Sequence, residues 1–417
     1  MLLENYRRAP VTFVAGEGCD LIDDHGERYL DCIGGIAVCA LGHAHPAITA
    51  AVTEQAAKLV HVSNLFGHEP AATLAKELAN RSGFERVFFC NSGTEANEAA
   101  IKLARKFAHR RGESRRKKIL SCQGGFHGRT LGALAATANA AYHEGFDPLP
   151  RGFQTTPFND VNALAAAIDD RTAAFIVEPV QGENGVLPAT REFLQAAREL
   201  CTQRGALLIF DEVQCGMGRV GPLFAFAHFG VQPDAVTLAK ALANGLPIGA
   251  MLVRETFASG LQPGDHGSTF GGSPVPCAAA LAHLRVREET RLEKHVGNVS
   301  ARLFTGLAEL AVRHPDVYGA ARGLGLLAGV PVLAPYDAAV IVEHARERSR
   351  VLVNKAGANT IRLAPPLIIS RAEVDRMLQA LDAAAASLVK SCHVSHDGVA
   401  ADEPSTALQP QRGAALL

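Results

Sequence analysis

Lys240 is the residue whose chemistry is hardest to explain by ordinary packing. It follows the apolar run Ala235–Leu238 after one further alanine and lies before a segment broken by Asn244, Gly245 and Pro247. Taken alone, the lysine is most simply explained by a stem that lies along apolar surface and an ammonium that reaches water. The alternative is a desolvated amine with a lowered pKa, as a Schiff-base lysine requires.

A carboxylate follows another predicted strand, residues 206–210. Asp211 comes next, and Val213 lies two residues further along. Because alternate residues of a strand share a face, the carboxylate and a flat apolar surface point in the same direction. A buried carboxylate must be paired, ideally with a cationic heteroatom.

A possible anion site follows the predicted strand Arg86–Cys90. Ser92 is placed to cap the next helix, and Glu95 completes a capping box with it. The free backbone N–H groups of Gly93 and Thr94, together with the helix dipole, suit a phosphate. Most capping boxes bind nothing, so this pattern alone leaves both interpretations open.

The last of these segments is the glycine-rich loop 122–130, which carries an aromatic ring, an imidazole and a guanidinium. A tight turn with Phe126 in the core explains the loop equally well when it is considered alone. Together, however, the four segments offer an amine, a carboxylate, an anion site and an aromatic face. Pyridoxal 5'-phosphate requires these four groups, as aldehyde partner, pyridinium partner, phosphate cradle and ring stack.

The elements that must position these groups alternate between helix and strand over residues 70–313. This order predicts an α/β fold with a mostly parallel sheet covered on both faces and a ligand at the carboxyl ends of its strands. We expect an N-terminal arm that forms part of a small domain (1–45), a large domain (46–313) and a smaller C-terminal α+β domain (314–390). Residues 391–417 have no periodicity and are predicted to be a disordered tail.

Composition excludes several classes of protein. The 417 residues are 48% hydrophobic and 20% charged, as in an ordinary globular protein, and the net charge of -1 argues against nucleic acid or an acidic membrane surface as a partner. Nine scattered cysteines without a C-x-x-C spacing indicate a reducing cytoplasm rather than disulfides or zinc. His43 and His45 lack a carboxylate or cysteine partner nearby in the sequence, so we expect no metal. No apolar run is long enough to span a membrane.

From residue 5 to residue 389 the sequence resembles the class III (subgroup II) aminotransferases of pyridoxal-phosphate fold type I. The resemblance is specific because many motifs occur together and in order. They are A-L-G-H-A-H-P, N-S-G-T-E-A-N-E-A, G-G-F-H-G-R-T, E-P-V-Q-G-E, F-D-E-V-Q, L-A-K-A-L, G-S-T-F-G-G and R-L-A-P-P-L. The resemblance implies pyridoxal 5'-phosphate as cofactor and a homodimer with shared active sites.

The resemblance also implies a role for each site residue. Lys240 would be the Schiff-base lysine and proton carrier, and Asp211 would bind the pyridine nitrogen. Val213 and Phe126 would cover the two ring faces, with Gln214 near the phenolic oxygen. Phosphate binding would fall to Ser92, Gly93, Thr94 and, from the second subunit, Thr269. The implied substrate residues are Arg129 at the α-carboxylate, Glu183 paired with Arg362, Tyr6 and Ser268.

Within the family the sequence most resembles members that act on N2-acetylornithine. The implied reaction transfers the terminal amino group of N2-acetyl-L-ornithine to 2-oxoglutarate, giving N-acetyl-L-glutamate 5-semialdehyde and L-glutamate in arginine biosynthesis. Ile36 stands where ornithine δ-aminotransferases carry a tyrosine, which favours the acetylated donor. Ornithine, succinylornithine, succinyl-diaminopimelate, carrier-bound lysine and 4-aminobutyrate stay open as donors.

A catalytically silent protein of the same fold is the alternative from a different functional class. Such a protein would be expected to lack at least one of Lys240, Asp211 and Thr269, and this sequence contains all three. We therefore expect an active enzyme.

Overall fold

The chain alternates strands and helices through most of its length. A computed structural model describes the backbone of residues 1–396 and the side chains of residues 1–390. The strands are β1 (Phe13–Glu17), β2 (Asp20–Asp23), β3 (Arg28–Asp31), β4 (Arg86–Cys90), β5 (Lys118–Cys122), β6 (Phe153–Thr156), β7 (Thr172–Val177), β8 (Val180–Gln181), β9 (Leu187–Pro188), β10 (Leu207–Asp211), β11 (Ala235–Leu238), β12 (Gly249–Val253), β13 (Arg322–Leu324), β14 (Leu327–Pro331), β15 (Val351–Leu352), β16 (Asn354–Ala356) and β17 (Thr360–Leu363).

The helices surround and connect these strands. They are α1 (Gly34–Ala37), α2 (Pro46–Lys58), α3 (Glu69–Ser82), α4 (Gly93–Arg110), α5 (Leu131–Ala136), α6 (Ala140–His143), α7 (Val161–Ala167), α8 (Arg191–Arg204), α9 (Ala225–Phe229), α10 (Glu255–Ala258), α11 (Pro274–Glu289), α12 (Leu292–Arg313), α13 (Ala338–Ser349) and α14 (Arg371–His396). One turn of 3-10 helix, Lys240–Ala243, follows β11.

The large domain contains a seven-stranded sheet in the order β4-β12-β11-β10-β7-β5-β6. Every neighbouring pair from β11 to β6 is parallel, whereas β12 runs antiparallel to both of its neighbours. The sheet is therefore mostly parallel, and the predicted fold class is confirmed.

Helices cover both faces of this sheet. In β10, Leu207 and Ile209 pack into a cluster with α4, while Leu208 and Phe210 pack into the opposite core with α8. All five residues of β10 are buried. Successive strand residues alternate between faces, and both faces are covered, which explains the apolar run 207–210; Asp211, at the end of the strand, is the one buried residue of β10 that is charged.

The C-terminal region forms a second, four-stranded sheet in the order β13-β14-β17-β16. The N-terminal arm forms another sheet, in which β3 pairs in parallel with β15 from the far end of the chain. This pairing is the arrangement expected if residues 1–45 belong to the small domain.

The last helix ends later than the sequence predicts. Helix α14 spans Arg371–His396, so the predicted boundary at residue 390 falls inside a helix, and residues 391–396 are helical rather than part of a disordered tail. The helical run simply continues into less apolar residues without a helix-breaking glycine or proline. The remainder of the predicted tail, 397–417, lies outside the described residues. Within residues 1–396, no helix is both long and apolar enough to cross a membrane.

Candidate active site at the carboxyl edge of the sheet

A cavity of about 380 Å³ opens where the parallel strands of the large domain end. Its wall contains residues that follow β4, β5, β7, β10 and β11, as expected for a ligand site in a sheet of this kind. The predicted residues that line it are Ser92, Gly93, Thr94, Phe126, Arg129, Asp211, Val213, Gln214 and Lys240.

Lys240 reaches this wall through an unusual backbone conformation. Its φ is +43° and that of Asn244 is +48°, in the left-handed region that few residues other than glycine adopt. The Asn244 side chain holds the turn from one side, because it accepts a bond from the Leu41 N–H and donates one to the Gly42 carbonyl. Behind the turn, the buried His283 contacts the Leu242 carbonyl through Nδ1 at 3.4 Å.

Burial lowers the pKa of the Lys240 amine below its usual value. The carboxylates of Glu183 and Asp211 favour the ammonium, but they do not cancel the loss of hydration and the repulsion from Arg362. The structure therefore favours the neutral, nucleophilic form of this amine more than water does.

Asp211 is buried beside three hydrogen-bond donors. Its Oδ2 accepts bonds from Asn97 Nδ2 at 2.7 Å and from His127 Nδ1 at 2.9 Å, and its Oδ1 accepts the Val213 N–H at 3.0 Å. Asn97 is fixed in turn by Thr237, whose hydroxyl donates to Asn97 Oδ1 at 2.7 Å. Although burial disfavours imidazolium, the bond to Asp211 raises the pKa of His127 overall. This network fixes the carboxylate in the cavity wall.

The N-terminus of α4 forms the opposite part of the wall. The Glu95 N–H donates to Ser92 Oγ at 3.3 Å, so Ser92 caps the helix as predicted. Glu95 Oε2 accepts the Ser92 hydroxyl at 2.8 Å and the Asn91 N–H at 2.9 Å, instead of the Ser92 N–H of a strict capping box. A Cβ on Gly93 would lie 2.6 Å from Val213 Cγ1. Only glycine fits there, and its backbone N–H stays at the end of an 18-residue helix, where an anion is favoured.

Phe126 lies in the cavity wall and is held by a buried carboxyl group. Glu178 Oε1 accepts the Phe126 N–H at 2.8 Å, and burial raises the pKa of Glu178 to about 8. The ring of Tyr142 meets Phe126 edge to face, and the guanidinium of Arg129 lies 3.9 Å from the centre of the Tyr142 ring. This contact holds the Arg129 side chain, which also lines the cavity.

Glu183 and Arg362 form an ion pair near the cavity, with 2.5 Å between Oε1 and Nη1. Gln214 bridges the pair, because its Nε2 donates to Glu183 at 3.1 Å and its Oε1 accepts from Arg362 at 3.2 Å. Arg362 is only 1% exposed. Although burial opposes ionisation, the Arg362 charge lowers the pKa of Glu183 overall, so the pair stays charged.

Comparison with known proteins decides the family. The model of the family described as "Aminotransferase class-III" matches residues 3–385. The chain belongs to the class-III aminotransferases. The acetylornithine aminotransferase of Gloeobacter violaceus is 48% identical over 93% of this chain and 96% of its own length.

Two solved structures are similar to this class-III aminotransferase over nearly all of both chains. N-acetylornithine aminotransferase from Stenotrophomonas maltophilia is 38% identical, with a TM-score of 0.81, and the match covers 92% of this chain and 98% of that one. Ornithine aminotransferase from Toxoplasma gondii is 33% identical, with a TM-score of 0.89, over 94% and 93% of the two chains. The latter structure is described as showing partial occupancy of pyridoxal phosphate at its active site.

Membership in the family confirms the prediction of a pyridoxal-phosphate-dependent aminotransferase. The residues of this cavity fit the cofactor. Asp211 is a buried carboxylate that suits a ring nitrogen carrying a proton, Lys240 is an amine of lowered pKa, and α4 offers N–H groups to a phosphate. Phe126 and Val213 supply apolar wall between them. The cavity can therefore hold the cofactor, and the role of each residue toward it stays a prediction.

Three predicted residues lie away from this chain's own cavity. Thr269 faces a separate small hollow, and Tyr6 is 59% exposed and close to Arg8. Ser268 is bound through Oγ to Asn91 Nδ2 at 3.1 Å, at the outer rim of the α4 terminus. Their predicted roles stay predictions, and the role of Thr269 requires a second subunit.

Other residues of the site have no role that the sequence predicts. They are Asn97, His127, Glu178 and Tyr142. Asn97 lies one helical turn after Gly93, so helical spacing could have suggested that it faces the cavity. The described residues contain no group of three or more histidine, cysteine or acidic residues placed to hold a metal, and His43 is instead bound to Asp31 at 2.9 Å.

Proposed function

We propose that this enzyme transfers the terminal amino group of N2-acetyl-L-ornithine to 2-oxoglutarate, giving N-acetyl-L-glutamate 5-semialdehyde and L-glutamate for arginine biosynthesis. The observation that carries the chemistry is the amine of Lys240, with its lowered pKa, in one cavity with the buried carboxylate of Asp211. The choice of donor is supported by relatives named acetylornithine aminotransferase that match nearly the full chain at 45–48% identity.

The bound cofactor supplies an electron sink for the carbon that loses its proton. The protein's residues then have distinct tasks. Lys240 Nζ takes that proton from the amino-bearing carbon of the substrate and would pass it to the C4' carbon of the cofactor, which requires the neutral amine that burial favours. The Asp211 carboxylate would hold the protonated ring nitrogen of the cofactor. The hydrogen bonds from Asn97 and His127 fix the orientation of this carboxylate. The apolar side chains of Phe126 and Val213 exclude water.

Two substrates of different length use the same cavity, and the ion pair explains how. While the acetylated donor is bound, Glu183 neutralises Arg362, so the reacting end of the donor, which carries no carboxylate, meets no free guanidinium. When Glu183 swings away, Arg362 can bind a carboxylate of 2-oxoglutarate or glutamate in a bidentate manner. Arg129 binds the α-carboxylate of the donor at the cavity mouth.

Ile36 contributes to selection of an acylated donor. It lies in the short turn Gly34–Ala37 at a φ of +66°, which is strongly disfavoured for a β-branched side chain, and it precedes Val38 of the cavity wall. The turn presents a branched apolar side chain that offers no hydrogen bond to a free α-amino group. Ornithine should therefore be the poorer donor.

We also propose a cytoplasmic homodimer. Asn64 Nδ2 donates to the Ser268 and Gly271 carbonyls and thereby joins the segment around Thr269 to the residues that follow Asn64. The two segments together carry three exposed apolar side chains. These side chains are Leu65, Phe66 and Phe270, with exposed fractions of 84%, 67% and 61%. An apolar patch of this kind suits a second copy of the chain, and Thr269 would then reach the partner's phosphate site. The described cysteines are unpaired, as expected in a reducing compartment.

A donor comparison tests this function. Glutamate formation from 2-oxoglutarate is measured with N2-acetylornithine, ornithine, N2-succinylornithine, succinyl-diaminopimelate, carrier-bound lysine and 4-aminobutyrate. We expect the highest kcat/KM with N2-acetylornithine. A higher kcat/KM with any other donor would show that the assigned substrate is wrong. Absence of turnover with all of these donors would support the alternative of a catalytically silent protein of the same fold.

The Lys240→Ala variant tests the assigned amine. We expect turnover to fall by at least about a thousandfold, because the proton carrier and the attachment point for the cofactor are both removed. The visible absorbance of the bound cofactor should change at the same time. Lys58→Ala is the control, since Lys58 is an exposed lysine paired only with Glu54 among the described residues. Near-normal activity of Lys240→Ala would overturn the assignment.

A further inference from the structure

Among the described residues, Arg219 is a buried cation without a carboxylate partner. It lies in the loop after β10, and its side chain is 1% exposed. Its Nη1 donates to the Leu326 carbonyl at 3.0 Å and to the Pro365 carbonyl at 2.5 Å. Within the same part of the chain, its Nε and Nη2 have no partner. Burial lowers the pKa of Arg219 to about 9, so the side chain is still charged near neutral pH.

The two carbonyls that Arg219 binds lie at the ends of neighbouring strands of the small domain. Leu326 immediately precedes β14, and Pro365 comes two residues after β17. These strands pair antiparallel, with Gly329 opposite Arg362. Arg219 Nη1, from the large domain, therefore binds both strands at their common end. This strand pair carries Arg362.

Backbone contacts strengthen this link between Arg219 and the strand pair. The Leu326 N–H donates to the Arg219 carbonyl at 2.9 Å. A Cβ on Gly325 would lie 2.5 Å from that carbonyl oxygen, so the turn between β13 and β14 approaches the loop as closely as a glycine allows. Arg362 itself reaches back to the large domain at Glu183, Gln214 and the Gly182 carbonyl. The two arginines thus cross between the domains in opposite directions.

Fold stability does not account for Arg219. A buried charge with unpartnered N–H groups loses hydration, and Arg219 has no ion pair among the described residues to offset that cost. The acid that acts most on its charge, Asp31, already accepts the Ile33 and Gly34 N–H groups and contacts His43. The benefit of the arginine must therefore be sought in geometry rather than in free energy of folding.

We infer that Arg219 is a positioning residue for the amino acceptor: it sets the strand pair β14 and β17 so that Arg362 meets a carboxylate of 2-oxoglutarate. This inference rests on the proposed role of Arg362. It adds that the large domain controls the placement of Arg362 from a residue that touches neither the cavity nor the substrate.

The test separates binding of a dicarboxylate from folding and from the donor step. Arg219→Met and Arg219→Lys are purified with cofactor, and binding of glutarate, an unreactive dicarboxylate, is measured by calorimetry. In Arg219→Met we expect at least a tenfold rise in the Kd for glutarate and in the Michaelis constant for the acceptor, with smaller rises in Arg219→Lys. The single-turnover rate with N2-acetylornithine and the melting temperature should stay near those of the unmodified enzyme.

Arg105→Met is the matched control. Arg105 also donates to two backbone carbonyls, those of Lys117 and Arg151, but both belong to the large domain. Its replacement should leave glutarate binding unchanged. Normal glutarate binding in Arg219→Met, or a parallel loss of binding, donor rate and melting temperature, overturns the inference. The Arg362→Ala variant separates failure of this inference from failure of the proposed role of Arg362. Normal glutarate binding in that variant would overturn the proposed role of Arg362.

Discussion

Gly182→Ala should damage the acceptor reaction with little effect on folding. The Cβ of alanine at this position would lie 1.8 Å from Gln214 Oε1, where ordinary van der Waals contact requires at least 3.4 Å. Gly182 does not have a positive φ, so its backbone accepts alanine without strain. The atoms that must move form the end of a flexible side chain, so the protein should still fold, with a loss of stability limited to the hydrogen bonds of the Gln214 amide.

The functional cost comes from the hydrogen bonds that Gln214 loses. Its amide contacts Glu183 at 3.1 Å and Arg362 at 3.2 Å, and a bond to a charged group contributes about 1.5–3 kcal/mol. If one such bond supports acceptor binding, its loss lowers kcat/KM for the acceptor by about tenfold to a hundredfold. The assay is steady-state kinetics with varied 2-oxoglutarate at saturating donor, together with thermal unfolding.

Gly297→Ala provides the matched control for this prediction. Gly297 lies inside α12, and a Cβ there would contact nothing within 4 Å. The control should keep its kinetics and should be slightly more stable, because alanine favours a helix over glycine. An unchanged kcat/KM for the acceptor in Gly182→Ala would show that the Gln214 bridge has no part in binding 2-oxoglutarate.

Two further predictions concern charge. Glu183→Ala should leave Arg362 unpaired and shift donor preference toward glutamate-like substrates, measured as the ratio of kcat/KM for glutamate and N2-acetylornithine; an unchanged ratio would contradict the switch. Burial depresses the pKa of His283 from 6.5 to about 4, so the folded protein resists a proton that the unfolded chain accepts. The neutral His283 therefore contributes to the free energy of unfolding, in full above pH 6.5. This contribution falls by about 3 kcal/mol as the pH falls from 6.5 to 4. Unfolding midpoints between pH 7 and 5 should therefore fall less in His283→Gln, and equal slopes would argue against a neutral His283.

Much of the candidate site was accessible from the sequence because of one rule of architecture. Carboxyl ends of parallel strands meet at one edge, so Lys240, Asp211 and the Ser92–Thr94 segment could be grouped from their positions along the chain alone. Their partners obey no such rule. Asn97 meets Asp211 across 114 positions of the chain, and His127 meets it across 84. Such distances along the chain are bridged only when helices settle on the sheet.

By itself, the sequence determined the types of the elements and the chemistry placed after each strand, because apolar periodicity, caps and turn residues act over a few positions. Tertiary structure decided which residues distant in the sequence form ion pairs or hydrogen bonds with each other. It buried Arg362 against Glu183, left Arg219 without an acid among the described residues and turned Thr269 away from its own cavity. Those outcomes depend on how two domains pack, and packing sums many weak contacts that no local pattern specifies.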